Sequence, residues 1–138
     1  VVDTTAGSLP DAVLAATGGA GADVVIDHVG GAGFGDLLPA TRVRGTIVNV
    51  GRLAGPRATV DLDQLAFRRL RVQGTTFSIR SAEERAEVYA AVTRDALPTV
   101  AGGRVRPIVD TVVPFDEAQR AADRMRSNQA VGKIVLEI

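Results

Sequence analysis

The sequence predicts an α/β protein whose core is a parallel, doubly wound sheet, followed by a strand-helix-strand segment at its carboxyl end. Runs of β-branched apolar residues such as Val24-Val25-Ile26 have the composition of strands buried in a sheet. Segments with apolar residues at helical spacing alternate with these runs over the first hundred residues. Because strands joined by helices pair in parallel, this alternation predicts a doubly wound sheet with right-handed crossovers.

The stretch from Gly21 to Leu38 is the centre of the predicted fold. Residues 23–28 form an apolar strand that we expect to be covered on both faces. Four glycines follow within six residues, and Phe34, Leu37, Leu38 and Thr41 then have the spacing of a helix. Ligands bind beyond the carboxyl ends of the strands in an open α/β sheet, so the loop at residues 27–33 is the first candidate binding surface.

Caps, breakers and periodicity predict the elements around this centre. Residues 1–2 have the apolar character of a strand. Ser8, with Pro10 behind it, predicts the start of a short helix that Gly18 ends. Beyond the central stretch, the pattern predicts two strands and a helix between them: strands at residues 46–50 and 72–77, and the helix at residues 61–70.

The last third contains two predicted helices and two predicted strands. Ser81 and Glu84 form a capping box for a helix that reaches about residue 96 and is ended by Pro98 and the glycines at 102–103. Asp116 is the predicted N-cap of a second helix. Strands are predicted on either side of that helix, at residues 107–113 and 133–138.

Composition argues against several classes of protein. Sixteen basic residues balance sixteen acidic ones, so no long-range positive field draws the chain to nucleic acid or to an anionic membrane. Without cysteine there is no disulfide or thiolate metal site, and one histidine cannot build a His-rich zinc site. No apolar run approaches the roughly 20 residues that span a bilayer. We therefore expect a cytoplasmic protein whose segment here binds no metal, nucleic acid or membrane.

No phosphate-loop signature is present, because neither a G-x-G-x-x-G nor a Walker A motif can be read. The glycines at residues 30–35 either bind an anion through backbone amides or simply allow a tight strand-to-helix connection. His28 is either an acid–base group or an exposed side chain, and Asp27 either orients a ligand hydroxyl or caps the turn. Arg52 and Arg57, in a loop past a strand end, either meet an anionic ligand or are solvated.

Six segments together resemble the C-terminal part of the medium-chain dehydrogenase/reductases. In order, they are VVD, GGAGADVVIDHVGG, RGTIVNVG, RVQGTTF, RVRPIVDTVVPFDEAQRAADRM and GKIVLEI. Their order and spacing follow that superfamily over nearly the whole chain. The sequence is most similar to the zinc-independent quinone oxidoreductases, the NADPH:quinone reductases.

This resemblance implies a domain organisation. Residues 1–103 would be the C-terminal half of a Rossmann dinucleotide-binding domain, and residues 104–138 would return to a GroES-like catalytic domain. The third to sixth Rossmann strands would lie, in order, at residues 1–2, 23–28, 46–50 and 72–77. The first two strands and the glycine pyrophosphate motif are not in these residues. We therefore expect this segment alone to hold half a binding site and to be inactive.

The resemblance also implies contacts with a nicotinamide dinucleotide. The similarity to the quinone oxidoreductase branch implies NADPH, and NADH is the alternative. No catalytic residue and no metal ligand is implied within this segment. The residues implied to contact the cofactor are His28, Val29 and Gly30 on the adenosine side, Val50, Gly51 and Arg52 beside the nicotinamide, Thr75, Thr76 and Phe77 at the carboxamide, and Lys133 near the pyrophosphate.

The implied activity of the full-length protein is hydride transfer from NADPH to a small quinone or conjugated carbonyl. The cofactor carries the difficult step, and the protein positions it in a dry pocket. Relatives pair through the sixth strand, so a homodimer is expected through the edge between Val72 and Ser78. Two alternatives stay open: a zinc-dependent alcohol dehydrogenase of the same superfamily, and a non-catalytic, dimerising half-domain.

Overall fold

The structure, a computed structural model, describes residues 2–3 and 7–138. The chain divides into two compact units, one ending at Arg80 and the other comprising Ser81–Ile138. The domain boundary predicted between residues 103 and 104 concerns a longer protein and stays a prediction. Of the strand predicted at residues 1–2, Val1 lies outside the described residues and Val2 is not in a strand. No helix of the described chain is long and apolar enough to cross a membrane.

The first unit is built on a three-stranded parallel sheet, in the order β1 (Ala22–Asp27), β2 (Thr41–Asn49) and β3 (Arg71–Gly74). The register pairs Val25 with Ile47 and Ile47 with Val72. Because side chains alternate along a strand, these three residues point to the same face of the sheet. The parallel pairing confirms the predicted α/β class.

Short helices connect the strands of the first unit. They are α1 (Leu9–Ala16), a 3-10 helix (Gly31–Asp36), α2 (Leu37–Ala40) and α3 (Leu62–Phe67). The hydroxyl of Ser8 accepts a hydrogen bond from the Asp11 amide at 3.3 Å, which confirms the predicted cap of α1. The carboxylate of Asp61 caps α3 in the same way, accepting from the Gln64 amide at 3.0 Å.

The core of the first unit lies on one face of the sheet. Phe34, Leu38 and Ile47 are buried there, with five partly buried apolar residues packed around them. On β1, by contrast, Val24 and Ile26 are 57% and 63% exposed. The prediction that this strand is covered on both faces is therefore wrong for this chain. β1 is an edge strand of its sheet, and both Val24 and Ile26 stay more than half exposed.

Four predicted boundaries in the first unit are wrong by several residues. The glycine-rich turn continues as a 3-10 helix before the single turn of α2, because glycine disfavours an α-helix. β2 starts at Thr41, which was predicted to be helical, and not at residue 46, since an irregularity between Ala22 and Val24 lets Thr41 pair with Ala22. α3 ends at Phe67 and β3 at Gly74, each three residues before the predicted end.

The second unit pairs two helices with a strand-helix-strand segment. Its elements are α4 (Ala82–Asp95), α5 (Leu97–Ala101), β4 (Val109–Pro114), a 3-10 helix (Phe115–Glu117), α6 (Ala118–Arg126) and β5 (Lys133–Glu137). The predicted capping box of α4 is confirmed, because Ser81 and Glu84 each bond to the other's backbone amide. β4 and β5 pair in parallel, with Val113 and Ala121 buried.

One predicted helix boundary in the second unit is confirmed, and one predicted cap is wrong. α4 ends at Asp95 with Ala96 as its C-cap, close to the predicted end, and a separate helix, α5, follows with Pro98 in its first turn, where its missing amide hydrogen is tolerated. Asp116 is not an N-cap, because a 3-10 helix containing it precedes α6. Its place before α6 is taken by Glu117, which makes no side-chain cap.

Candidate functional site

The carboxyl ends of the three strands of the first unit lie side by side. The register pairs Asp27 with Asn49 and Asn49 with Gly74. The residues predicted to contact a cofactor in this unit directly follow these three ends. The sheet therefore brings three of the four predicted groups of contact residues to one edge, where open parallel sheets bind ligands.

Asp27 is the best-connected side chain at this edge and is only 7% exposed. Its Oδ1 accepts hydrogen bonds from the amides of Val29 and Gly30, both at 2.9 Å. Its Oδ2 accepts from Asn49 Nδ2 at 2.8 Å. Burial raises the pKa of Asp27, but the bonds from Gly30, Asn49 and Val29 and the charge of His28 outweigh it, so the net pKa is lowered. Asp27 is therefore a structural carboxylate that caps the turn, one of the two roles predicted for it.

Asn49 was not singled out from the sequence. Besides Asp27, its Nδ2 also donates to the carbonyl of Gly51 at 3.0 Å, so one amide holds the end of β1 and the loop after β2. The signal in the sequence was that Asn49 follows a run of β-branched residues, just as Asp27 follows the β-branched run of the strand before it. That signal needs the strand register, which sequence alone does not give.

The loops after β1 and β2 pack against each other through their backbones. The amides of Val50 and Gly51 donate to the Asp27 carbonyl at 2.7 and 3.1 Å, and the amide of Ala54 donates to the Val29 carbonyl at 2.8 Å. A Cβ on Gly51 would lie 2.1 Å from the His28 carbonyl oxygen. Gly51 is therefore required by the contact between the two loops.

The glycines in the turn after β1 are also explained by the structure of the chain itself. Gly30 and Gly31 have φ of 64° and 66°, a conformation that favours glycine. The Gly30 amide bonds to Asp27, and the Gly31 amide donates to the Gly55 carbonyl at 3.1 Å. Because both amides are already bonded within the chain, the steric explanation of these two glycines is favoured over a backbone anion site.

The remaining predicted site residues are placed as follows. His28 is exposed, and its side chain makes no hydrogen bond to a described residue. The Thr75 amide donates to the Asn49 carbonyl at 2.9 Å, and the Thr76 carbonyl accepts from Arg80 Nε at 3.0 Å. Phe77 follows them in the chain and is exposed. Lys133 is the first residue of β5, in the second unit, so its predicted approach to a pyrophosphate stays a prediction.

Two grooves open at this edge of the first unit. The larger, here called the β1 groove, has a volume of about 680 Å³, and its lining includes Ser8, Pro10, Val25, His28 and Gly33. The smaller, here called the arginine groove, has a volume of about 310 Å³ and is lined by residues that include Asn49, Arg52, Arg57, Val60, Val72 and Gly74. Gly30 and Phe34 border both grooves. Within the described residues, no group of three or more potential ligand side chains could hold a metal ion.

Comparison with known proteins identifies a matching family and similar solved structures. The sequence model of a family described as zinc-binding dehydrogenase matches residues 1–136. None of the curated proteins matches the chain. The solved structure of an NAD-dependent alcohol dehydrogenase is 28% identical, with a TM-score of 0.77 over 99% of this chain and 37% of that one.

Two further solved structures are similar. A mycobacterial quinone oxidoreductase is 27% identical, with a TM-score of 0.64 over 94% of this chain and 39% of that chain. A crotonyl-CoA carboxylase/reductase is 26% identical, with a TM-score of 0.70 over 94% of this chain and 28% of that chain. The chain thus spans well under half the length of these proteins. These likenesses confirm the predicted partial Rossmann fold.

Proposed function

The chain belongs to the zinc-binding dehydrogenase family, and we propose that it is part of an oxidoreductase that transfers hydride from NADPH to a quinone or a conjugated carbonyl. Its likeness to alcohol dehydrogenases and quinone oxidoreductases places it in the medium-chain dehydrogenase/reductase superfamily. The observation that carries the proposal is the single row formed by the ends of β1, β2 and β3 at Asp27, Asn49 and Gly74. The quinone branch and the preference for NADPH rest on the six similar segments.

The residues at this edge fit a bound dinucleotide. The β1 groove, at about 680 Å³, lies within the usual size range of small-molecule sites. A Cβ at Gly33 or Gly74, one lining each groove, would meet no other atom within 4 Å, so neither glycine is needed for packing within the chain. A side chain at either position would instead occupy groove space.

We assign His28, Val29 and Gly30 to the adenosine side, Val50, Gly51 and Arg52 to the nicotinamide, and Thr75, Thr76 and Phe77 to its carboxamide. Lys133 is assigned to the pyrophosphate from the family resemblance. When bound, the cofactor supplies the hydride, and the chain's own residues position it. Asp27 and Asn49 contribute indirectly, because their hydrogen bonds fix the loops that carry the first two groups.

We also propose that the protein is a homodimer that pairs through the edge between Val72 and Ser78. β3 is an edge strand and all four of its residues are exposed. An exposed edge strand is prone to further pairing, and a two-fold partner would cover it. Sedimentation of the full-length protein should therefore give the mass of a dimer, and a monomer at micromolar concentration would contradict this proposal.

The activity is tested on the full-length protein by following NADPH absorbance with naphthoquinone as the acceptor. We expect oxidation of NADPH that persists in the presence of a metal chelator. Alcohol oxidation that a chelator abolishes, without quinone reduction, would instead identify a zinc-dependent alcohol dehydrogenase. If the protein binds no NADPH or NADH in fluorescence titration, it is the non-catalytic, dimerising module.

A further inference from the structure

The arginine groove has an unusual distribution of charge. Arg52 and Arg57 both line it, and no aspartate or glutamate does. Both arginines are exposed, and neither guanidinium bonds to a described residue. The ionised carboxylate of Asp27 offsets one of these two charges at most, and it does not line the groove. Two cations at one groove without a carboxylate favour an anionic ligand.

Apolar side chains also line the groove. They are Phe34, Val60 and Val72, and Phe34 belongs to the buried core. A groove lined by both apolar side chains and cations fits a flat carbon skeleton that carries one anionic group. A volume of about 310 Å³ is at the lower end of ligand sites, which suits a ring-sized molecule better than a whole dinucleotide.

We propose that the arginine groove binds the anionic substituent of the hydride acceptor, a carboxylate, sulfonate or phosphate on a conjugated carbonyl body. This inference rests on the proposed function, and it narrows the substrate class from neutral quinones and enones to anionic ones. The groove includes Asn49 and Gly74, the last residues of β2 and β3, so the acceptor lies beside the positions assigned to the nicotinamide. Arg57 is the specificity-determining residue, because Arg52 is already assigned to the nicotinamide.

The first experiment measures binding without turnover. Calorimetry on the full-length protein, without cofactor, compares phenyl phosphate with phenol for the wild type, Arg57→Gln and Arg44→Gln. Arg44 is a matched control because it is exposed and lies toward the amino end of β2, away from the groove. We expect Arg57→Gln to weaken phenyl phosphate binding about fivefold, the size of one partly exposed charge contact, and Arg44→Gln to leave it unchanged. An unchanged affinity in Arg57→Gln overturns the inference, whatever the activity of the enzyme.

The second experiment locates the anion in the reaction. With NADPH and either naphthoquinone or naphthoquinone sulfonate, Arg57→Gln should raise the KM of the sulfonate about fivefold while the KM of neutral naphthoquinone stays the same. An increase in the KM of NADPH alone would assign the arginines to a cofactor phosphate and overturn the inference. If no quinone is reduced although the calorimetric difference is present, the proposed function fails and the assignment of the anion to an acceptor falls with it.

Discussion

Two aspartates, one in each unit, are held in contrasting ways. Asp27, at the end of β1, accepts from two backbone amides and the neutral side chain of Asn49. Asp110, the second residue of β4, accepts from Arg124 Nη2 at 2.8 Å and from the Val131 amide at 3.1 Å. The side chain of Asp110 is 8% exposed, so this carboxylate is also largely covered. One carboxylate is thus held by neutral donors and the other by an ion pair.

The difference shows what each carboxylate holds in place. The donors to Asp27 belong to the loops at the candidate site, so its hydrogen bonds fix the ligand-facing backbone. The donors to Asp110 come from α6 and from the segment before β5, so its bonds tie the strand-helix-strand segment together. Arg124 contributes most to the lowering of the pKa of Asp110 to about 2, ahead of the Val131 amide. A pKa below the ordinary value therefore accompanies two different structural roles.

The largest effect is expected from Asp27→Ala. This variant leaves the amides of Val29 and Gly30 and the side chain of Asn49 without their acceptor, which should cost about 3 kcal/mol of local stability. Hydrogen exchange measured by mass spectrometry on the full-length protein should show faster exchange in peptides covering β1 and β2. NADPH affinity should fall with it, because the loops assigned to the cofactor are released.

Asp110→Ala is the matched comparison. It should speed exchange in peptides covering β4, α6 and β5 while leaving those of β1 and β2 unchanged, because its partners all lie in the second unit. Faster exchange in β1 and β2 of Asp110→Ala would show that the two carboxylates do not act on separate regions.

Gly51→Ala tests the contact between the two loops of the site without removing a hydrogen-bonding group. The new methyl would lie 2.1 Å from the His28 carbonyl oxygen, which is backbone and cannot rotate away. Overpacking of this kind should cost about 2 kcal/mol, read as faster exchange around residues 28 and 51. The control is Gly74→Ala, where the added methyl meets no atom within 4 Å, so exchange there should not accelerate.

The contrast between strand positions and site contacts shows how far sequence reasoning reaches. Local composition was enough to predict the central strand, since Val24, Val25 and Ile26 form a β-branched run that no helix pattern interrupts. The start of β2 at Thr41 was not predicted, because its pairing with Ala22 depends on an irregular register. The bond between Asp27 and Asn49 joins residues 22 positions apart, so it too depends on register. The prediction that Val24 and Ile26 are buried was wrong. Their burial depends on what packs against β1, and the local sequence pattern does not contain that information.

The pH dependence should distinguish Asp110 from a carboxylate that is not ionised in the native state. A lowered pKa in the folded state means that folding stabilises the ionised form of the carboxyl group relative to the protonated form. Its contribution to stability is therefore present above the unfolded pKa of about 3.9 and is lost as the pH falls through the folded value. For Asp110 this window lies between about 4 and about 2. The difference in exchange protection of β4 and β5 between the wild type and Asp110→Asn should therefore become smaller as the pH falls through that window. The measured rates are first corrected for the pH dependence of the intrinsic exchange rate.

The smallest expected effect is that of salt concentration on these exchange differences. It tests most directly whether Asp110 and Asp27 differ because one has a charged partner and the other has neutral partners. The side chain of Arg124 is 40% exposed, so dissolved ions can reach and screen its attraction to Asp110. The hydrogen-bond donors to Asp27 carry no net charge, and the charge of His28 is the smallest of the contributions to its lowered pKa, so screening has less to act on there. Between about 0.1 M and about 1 M sodium chloride, the difference in exchange between Asp110→Asn and the wild type should narrow more than that between Asp27→Asn and the wild type. An equal response of both would mean that charge is not what separates them, and that Arg124 acts on Asp110 mainly as a hydrogen-bond donor.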